Sequence, residues 1–280
     1  MENKNMKVSI IIPVYKDLQA LKIVLQALER QTYQNFEIII AEDNDAPETI
    51  KFLQDYSHLN LIHISQPDTG RNKVIIQNKA IIKAKGEYLI FIDGDIVPFK
   101  HFIEYTIKIA KPKRILAGRR VNLDETTTQK IKNGEIDILK IEKNYLSFLW
   151  KNKKNREARA EQGIQLNPEG FIYKYLINHK KRNSEILGCN FSCFKNDIVA
   201  INGFDEGYHP LATKADDTDL TWRFNCAGYE LFSSKNIANC FHLWHQVKKT
   251  GFDDSKDKKL MEYNKSYNIY KCKNGLDKYE

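Results

Sequence analysis

The stretch Glu87-Tyr-Leu-Ile-Phe-Ile-Asp-Gly-Asp95 joins an apolar run directly to two carboxylates that flank a glycine. The run Tyr88–Ile92 has the length and composition of a buried strand. In open α/β sheets, ligands bind beyond the carboxyl ends of the strands, where Asp93 and Asp95 would lie. Carboxylates at the edge of a core are costly unless a cation or a partner compensates their charge. A divalent metal that holds a phosphorylated ligand and a simple Asp-Gly turn explain this motif equally well, so the neighbouring segments must decide.

The residues on both sides of this stretch alternate between strand-like and helix-like patterns. Strands are predicted over 8–14, 36–40 and 59–64, and helices after Asp17, after Pro47 and over 73–84. Strands that alternate with helices at this spacing imply right-handed crossovers and a mostly parallel sheet with helices on both faces. Beyond Asp95, we expect a helix over 99–110 and a strand over 115–121. The predicted fold class is therefore α/β.

The composition is typical of a globular protein. The 280 residues are enough for one substantial core, and 42% of them are hydrophobic and 29% charged. No apolar run approaches the roughly 18 residues that span a bilayer. Residues 1–6 lack the apolar centre of a signal peptide, so we expect a cytosolic protein. The five cysteines lack metal-type spacing and are expected to be reduced thiols.

The charge balance favours anionic partners. The chain has 44 basic and 36 acidic residues, a formal surplus of +8, which suits nucleotides, phospholipid surfaces or nucleic acid. Nucleic-acid binding is not expected, because the chain lacks a known module and basic residues interleaved with aromatics. The basic region 124–185 carries an apolar stripe that predicts a surface helix packed on the core: Ile138, Ile141, Tyr145 and Leu149. The alternative is a basic amphipathic helix that faces an acceptor or touches a membrane.

Six short blocks follow one another in a specific order and spacing. They are Val8-Ser-Ile-Ile-Ile-Pro-Val-Tyr15, Ile40-Ala-Glu-Asp-Asn44, the segment Gly86 to Asp95, Asn202-Gly-Phe-Asp-Glu206, Asp216-Asp-Thr-Asp-Leu220 and Phe241-His-Leu-Trp-His245. Together they resemble family 2 glycosyltransferases of the GT-A fold, of the bacterial type whose C-terminal motif is shared with galactosyltransferases and chondroitin-polymerase domains. The resemblance covers about residues 7–123 and 186–245.

The resemblance implies one GT-A domain over residues 1–245, followed by a polar tail over 246–280. Residues 7–95 would form the nucleotide-binding half. Residues 96–245 would form the acceptor half, with a variable helical insert at 124–185. The tail, which is rich in lysine, is expected to be a peripheral helix or a loosely ordered end.

The resemblance also implies roles for residues that would bind a nucleotide-sugar donor. Pro13 and Tyr15 would line the nucleotide pocket, Asp43 would accept from the uracil ring, Lys73 would reach a phosphate, and Asp93 would contact the ribose or metal-bound water. The family usually has Asp-Asp-Gly-Ser where this chain has Glu42-Asp-Asn-Asp45, which keeps Asp43 but loses the serine. From the residues alone, Tyr15 could instead pack on the following helix, Asp43 could cap a helix, and Lys73 could be a surface lysine.

A metal site is implied around the last acid of the Asp-Gly-Asp motif. Asp95 matches the direct metal ligand of the family, and His242 or His245 would add an imidazole. Carboxylate oxygens suit Mg²⁺ or Mn²⁺, and an added imidazole favours Mn²⁺. Which histidine binds the metal stays open, and a structural role at a strand end is the alternative.

Asp217 matches the family's catalytic base, and Asn190, Asp205 and Asp216 match segments that build the sugar and acceptor pocket. Asp216 and Asp219 would shape the acceptor pocket or cap a helix over 220–226, and Asn202-Gly203 could be a simple turn beside a buried Phe204. These roles imply an inverting, metal-dependent hexosyltransferase that uses a nucleoside-diphosphate sugar, with a UDP-sugar expected.

The expected acceptor is a glycan or lipid-linked glycan in the synthesis of bacterial surface polysaccharide or lipopolysaccharide, at the inner face of the cell membrane or in the cytosol. One alternative is a sugar-nucleotidyltransferase, which should have a glycine-rich phosphate loop where this chain has Pro13-Val-Tyr-Lys-Asp17. The other is a non-catalytic relative that binds sugar nucleotides. No motif that we identify specifies the donor sugar, the acceptor, the linkage or the oligomeric state.

Overall fold

The computed structural model describes residues 5–70, 72–209, 217–246 and 253–279. Its strands are β1 Val8–Val14, β2 Phe36–Glu42, β3 Leu61–Ser65, β4 Tyr88–Ile92, β5 Ile96–Pro98, β6 Arg114–Ala117, β7 Val121–Asn122, β8 Asn190–Phe194, β9 Glu230–Ser233 and β10 Cys240–His242. Its α-helices are α1 Leu18–Glu29, α2 Pro47–Gln54, α3 Lys73–Lys83, α4 Phe102–Ile109, α5 Glu125–Lys132, α6 Ile138–Lys143, α7 Tyr145–Lys151, α8 Lys195–Ala200, α9 Thr218–Cys226 and α10 Ser255–Ser266. A π-helical segment covers Ile172–Ile177.

A seven-stranded sheet in the order β3-β2-β1-β4-β8-β6-β9 forms the centre of the molecule. Strands β1 to β4 are parallel, whereas β8 runs antiparallel to both of its neighbours. Both faces are covered, because Ile10 and Ile12 of β1 pack in one core cluster with α1 while Ile11 packs in the other with α3. A strand buried on both faces reads as a continuous apolar run, which is what β1 and β4 show. The predicted α/β fold with a mostly parallel sheet is confirmed.

A second sheet of three strands, in the order β5-β10-β7, lies beyond the end of β4. Strand β10 is antiparallel to β5, with His242 opposite Ile96, and parallel to β7. The amide of Leu243 extends the pairing by donating to the carbonyl oxygen of Asp95 at 3.0 Å. This small sheet brings the closing histidine motif to the Asp-Gly-Asp turn.

The prediction of one strand over 115–121 is wrong, because these residues are divided between the two sheets. Strand β6 ends at Ala117, and the next strand, β7, begins at Val121 in the small sheet. The chain leaves the large sheet at Gly118, where a Cβ would lie only 2.2 Å from the side chain of Asn190. Glycine is therefore required for this close approach.

The basic insert contains two short helices where the sequence suggests one stripe. Helices α6 and α7 are separated at Asn144. Ile138 and Tyr145 are buried, and the Tyr145 hydroxyl donates to the carbonyl of Ala160 at 2.6 Å. The expectation of a surface segment packed on the core is therefore confirmed, although not as one continuous helix.

The tail is helical and partly buried. Helix α10 is followed by Cys272 and Leu276, which are 4% and 1% exposed. The side chain of Asn202 donates to the Cys272 carbonyl at 2.8 Å, and the Leu276 amide donates to the Asn202 carbonyl at 3.1 Å. Asn202 and Gly203 have φ of 65° and 71°, so the Asn-Gly turn beside a buried Phe204 is confirmed. Residues 253–279 therefore do not form a loosely ordered end.

The five cysteines are free thiols, as predicted, and four of them are buried. In the described part of the chain, no helix is long and apolar enough to cross a bilayer.

Asp219 forms a buried ion pair with Arg223, and neither side chain has any exposed surface. The two groups lie 2.6 Å apart, Asp219 also accepts from the Tyr208 hydroxyl at 3.0 Å, and Arg223 donates to the Ile201 carbonyl at 2.9 Å. The expectation that Asp219 shapes the acceptor pocket or caps a helix is therefore wrong. Its carboxylate instead bonds to Tyr208 and to Arg223, and Arg223 ties α9 to Ile201, which precedes the Asn-Gly turn.

We expect Asp219→Asn to lower the free energy of unfolding by about 3–5 kcal/mol, because it leaves the Arg223 cation buried without its counter-charge. Urea denaturation followed by circular dichroism would measure the change. The exposed Asp55→Asn is the matched control and should change stability by no more than about 0.5 kcal/mol. A loss below about 1 kcal/mol for Asp219→Asn would contradict the structural role.

Candidate active site

Asp95, His242 and His245 form a cluster at the junction of the two sheets. The Oδ2 atom of Asp95 lies 3.5 Å from Nε2 of His242 and 3.4 Å from Nε2 of His245. One ligand atom from each of the three residues lies within 4.8 Å of the others. The backbone pairing of β5 with β10 places Asp95 and His242 side by side, and the chain then turns so that His245 approaches the same oxygen. Sequence reasoning proposed one of the two histidines, and the structure brings both to Asp95.

The donor set fits a divalent cation. Asp95 Oδ1 is buried and has no hydrogen-bond partner among the described residues, so this carboxylate keeps an unsatisfied acceptor. Burial acts to raise the pKa of Asp95, but the hydrogen bond and charge of His242, together with His245 and Arg120, hold that pKa below its ordinary value. One carboxylate and two imidazoles are a combination that suits Mn²⁺ or another first-row metal better than Mg²⁺.

Asp93, the first acid of the motif, pairs with Lys73. The Lys73 ammonium lies 2.7 Å from Asp93 Oδ1 at the first residue of α3. The lysine side chain is 16% exposed, so it is not a simple surface lysine. This pair places a cation beside the metal cluster, at the carboxyl end of β4.

Asp43 is buried and organises the neighbouring strand end. Its Oδ2 accepts from the Asn72 amide at 2.6 Å, and its Oδ1 accepts from the Gln66 side chain at 2.7 Å. Ala46, not Asp43, occupies the N-cap position of α2, so the helix-cap alternative is wrong. A carboxylate offers about four acceptor sites, so Asp43 retains capacity for a ligand N–H. Its bond to Asn72 also fixes the start of α3, where Lys73 begins.

Pro13 and Tyr15 stand at the end of β1. The Asp-Gly-Asp turn packs against Pro13, because a Cβ on Gly94 would lie 3.3 Å from the Pro13 carbonyl oxygen. The Tyr15 side chain is 52% exposed, and its hydroxyl donates to Asp68 at 3.2 Å. The ring therefore does not pack away beneath α1, and the Lys16 ammonium lies over it, 4.6 Å from its centroid.

Asp217 and Asp93 both bond to the backbone of one short segment, residues 188–189. Asp217 Oδ1 accepts from the Gly188 amide at 2.6 Å, while the Asp93 amide donates to the Cys189 carbonyl at 3.3 Å. Asp217 occupies the N-cap position of α9, but its carboxylate turns to Gly188. Acids that are far apart along the chain therefore meet at one end of the sheet.

The remaining predicted pocket residues have other surroundings. Asn190 is 3% exposed and donates to the Arg119 carbonyl at 3.0 Å and to the Cys240 sulfur at 3.2 Å. Asp205 is 5% exposed and accepts from the Gly207 amide at 2.8 Å, and burial raises its pKa. Asp216 lies outside the described residues. Contacts of Asn190, Asp205 and Asp216 with a sugar stay predictions.

A cavity of about 580 Å³ opens beside Asp217. Its charged lining includes residues that the sequence analysis did not identify as site residues, among them Arg119, Arg159 and Arg182. These residues come from separate segments between the recognised blocks. The basic composition of region 124–185 pointed to Arg159 and Arg182, whereas Arg119 precedes that region.

The family model described as "Glycosyl transferase family 2" matches residues 9–172, more than half of the chain. The chain belongs to glycosyltransferase family 2. A second model, described as "N-terminal domain of galactosyltransferase", matches residues 172–246, which contain Asp217 and both histidines of the cluster. The two matches cover the sequence blocks on which the resemblance rests, so the expected family is confirmed.

Curated relatives of this glycosyltransferase match between 32% and 40% of the chain. A 98-residue stretch of this chain is 31% identical to chondroitin synthase of Pasteurella multocida, and the match covers 34% of this chain and 10% of the relative. A 94-residue stretch is 33% identical to poly(ribitol-phosphate) beta-glucosyltransferase of Bacillus spizizenii, covering 32% of this chain and 15% of the relative. An uncharacterized glycosyltransferase of Rickettsia bellii is 28% identical over 116 residues, 40% of this chain and 16% of its own length. The chain thus spans well under a fifth of these relatives.

Solved structures of two glycosyltransferases share the fold. Staphylococcus aureus TarS 1–349 in complex with UDP superimposes with a TM-score of 0.62 at 15% identity, covering 98% of this chain and 68% of TarS 1–349. The mannosyltransferase PcManGT of Pyrobaculum calidifontis, in complex with GDP-Man and Mn²⁺, gives a TM-score of 0.55 at 14% identity, covering 95% and 63% of the two chains. These similarities confirm the GT-A fold of this glycosyltransferase.

We expect Cys226 to be the one thiol among the five that reacts rapidly with iodoacetamide in the native protein at pH 8. Cys226 is partly exposed, whereas Cys189 is buried in the segment that bonds to Asp93 and Asp217, and burial raises the pKa of Cys189 to about 12. Mass spectrometry of a labelling time course would locate the modified residues. Denaturation should make all five reactive, which is the control. Rapid labelling of Cys189 in native protein would contradict the close packing of the two acids.

Proposed function

We propose that this glycosyltransferase moves a hexose from a UDP-sugar to a glycan acceptor by an inverting, Mn²⁺-dependent reaction. The observation that carries the proposal is the meeting of two groups at one end of the sheet. The Asp95–His242–His245 cluster is suited to a cation, and Asp217 is linked to Asp93 through residues 188–189.

The donor would lie across the carboxyl ends of β1, β2 and β4. The Tyr15 ring offers a face for the base, the buried Asp43 can accept from a ring N–H, and Lys73 beside Asp93 can meet the diphosphate. TarS has been solved with UDP and with UDP-GlcNAc, and PcManGT with GDP-Man and Mn²⁺. The structural likeness supports a nucleotide-sugar donor of this kind, and Asp43 as the base-reading acid supports UDP.

Asp95, His242 and His245 would hold the metal. When bound, such an ion supplies Lewis-acid stabilisation of the negative charge that develops on the departing diphosphate. Lys73 adds a second positive group on the side of Asp93. The hydrogen bond of Leu243 to the Asp95 carbonyl keeps the ligand backbone in place.

Asp217 would act as the general base. Its carboxylate takes the proton of the acceptor hydroxyl while the hydroxyl oxygen attacks the anomeric carbon from the face opposite the diphosphate. One displacement from the opposite face inverts the anomeric configuration. The Gly188 amide holds the Asp217 carboxylate in one orientation, so the base does not need to be reorganised during the reaction.

The biological role that fits best is the assembly of a bacterial surface polysaccharide or lipopolysaccharide. Relatives of this chain are named for chondroitin synthesis, for poly(ribitol-phosphate) glucosylation and for amylovoran biosynthesis. Family membership disfavours the nucleotidyltransferase alternative. A non-catalytic sugar-nucleotide-binding protein would lack transfer activity, and contact with a membrane surface stays a prediction.

We expect Asp217→Asn to lower the rate of sugar transfer by roughly 10²–10⁴-fold, because general-base assistance is lost. Affinity for UDP should stay near that of the wild type, since Asp217 is not among the residues proposed to hold the donor. The assay is release of UDP from a screen of UDP-sugars, with UDP affinity measured by calorimetry. Asp55→Asn is the control, and near-wild-type transfer by Asp217→Asn would exclude Asp217 as the base.

We expect chelation to abolish transfer and Mn²⁺ to restore it. His242→Ala and His245→Ala should each weaken Mn²⁺ binding by at least roughly 10–100-fold, because each removes a first ligand. Calorimetric titration with MnCl₂ in the presence of UDP measures this directly. His58→Ala, at an exposed histidine, is the matched control. If only one variant weakens binding, that histidine alone is the ligand, and if neither does, the proposed metal site is wrong.

A further inference from the structure

The cavity beside Asp217 is strongly basic. Five cations line its volume of about 580 Å³, against two acids, Glu185 and Asp217. The cations are Arg119, Arg159, Lys181, Arg182 and Lys235. An enclosed site lined by one sign of charge concentrates ligands of the opposite sign.

Arg119 is the most buried of these cations. Its side chain is 8% exposed, and its guanidinium donates to three backbone carbonyls, those of Gly118, Asn183 and Glu185. Burial lowers its pKa, the charge of Glu185 raises it, and the neighbouring charge of Arg159 lowers it again. Arg119 and Arg159 both line the cavity. A guanidinium at a cavity wall is suited to binding an anion through two parallel hydrogen bonds.

The basic lining continues into a second cavity. This cavity, of about 380 Å³, shares Lys181, Arg182 and Lys235 with the first and adds Lys180. Within the described residues, Lys235 forms an ion pair, with Glu161 at 3.6 Å, and no ion pair is formed by the other five cations of the two cavities. The two cavities form a continuous groove of positive charge that begins at Asp217 and runs away from it.

The position of this groove separates it from the donor site. Its lining includes Asp217 but none of the residues assigned to the metal or the donor, such as Asp95, Lys73 or Asp43. A nucleoside diphosphate held at the metal cluster would therefore not neutralise these cations. A molecule in the groove would instead present a group to the carboxylate of Asp217.

We propose that the groove binds the acceptor glycan, and that the acceptor carries fixed negative charges. The assignment of the groove to the acceptor rests on the proposed function, because Asp217 is its catalytic base. Guanidinium groups bind phosphate and carboxylate oxygens with two parallel hydrogen bonds, so phosphodiester-linked units and uronic acid residues share the required chemistry. The six cations along the two cavities fit an oligomer with charges on more than one unit.

The test is direct binding of three oligosaccharides by calorimetry in the absence of donor. The probes are a glycerol-phosphate hexamer, a hexasaccharide of alternating uronic acid and N-acetylhexosamine, and uncharged maltohexaose. At least one anionic probe should bind, and maltohexaose should bind at least tenfold more weakly. Binding of the anionic probe should weaken as NaCl is raised from 50 to 300 mM.

The variant Arg159→Gln/Lys181→Gln removes two exposed cations of the groove. It should weaken binding of the anionic probe by roughly tenfold, because two charge-assisted hydrogen bonds are lost. Its melting temperature should stay unchanged. Lys22→Gln/Lys256→Gln removes the same charge from exposed positions on α1 and α10 and should leave binding unaffected.

Each outcome decides the proposal. Selective binding of the phosphate or the uronate probe supports it and identifies the anion. The proposal is overturned if maltohexaose binds as tightly, if neither anion binds, or if the control double variant weakens binding as much as the groove variant. Because the assay contains no donor and measures no transfer, its result does not depend on activity. A wild-type protein that binds the anion but never transfers sugar would refute the proposed function alone.

Discussion

The pairing of β5 with β10 is the interaction on which the candidate site depends. It places His242 opposite Ile96, and the Leu243 amide donates to the Asp95 carbonyl, so the histidine motif and the acidic turn share one backbone frame. Because side chains alternate along a strand, a shift of one residue would turn His242 to the other face of the small sheet. Two imidazoles could not reach one carboxylate oxygen without this register. The metal cluster is therefore a property of strand pairing as much as of its three side chains.

The segment of residues 188–189 makes the second connection. It accepts from the Asp93 amide on one side and donates to Asp217 on the other, immediately before β8 joins the sheet beside β4. The antiparallel insertion of β8 thus links the donor edge to the start of α9. Asn190, the first residue of β8, is buried against Gly118 and bonds to the Arg119 carbonyl. The same strand therefore also positions the beginning of the basic groove.

The molecule uses buried charge in two different ways. Asp219 and Arg223 compensate each other inside the core, where the pair joins α9 to the rest of the protein. Arg119 is almost as buried, yet its guanidinium bonds to backbone carbonyls and forms no ion pair within the described residues. A buried ion pair serves the fold, whereas a cation at a cavity wall is suited to a ligand. Asp219, within the Asp216-Asp-Thr-Asp219 run, therefore serves the fold, whereas the family resemblance assigns the base role to its neighbour Asp217.

The sequence by itself determined the elements whose pattern is local. Strands β1 and β4 have the predicted bounds, because a strand buried on both faces must be an uninterrupted apolar run. The Asn-Gly turn follows equally from local backbone preference. The tertiary structure alone decided that both histidines meet Asp95, that the strand predicted over 115–121 divides at Gly118, and that arginines from separate segments line one groove. These outcomes depend on contacts between residues far apart in the chain, and no periodicity within a short segment records which distant partner it will pack against.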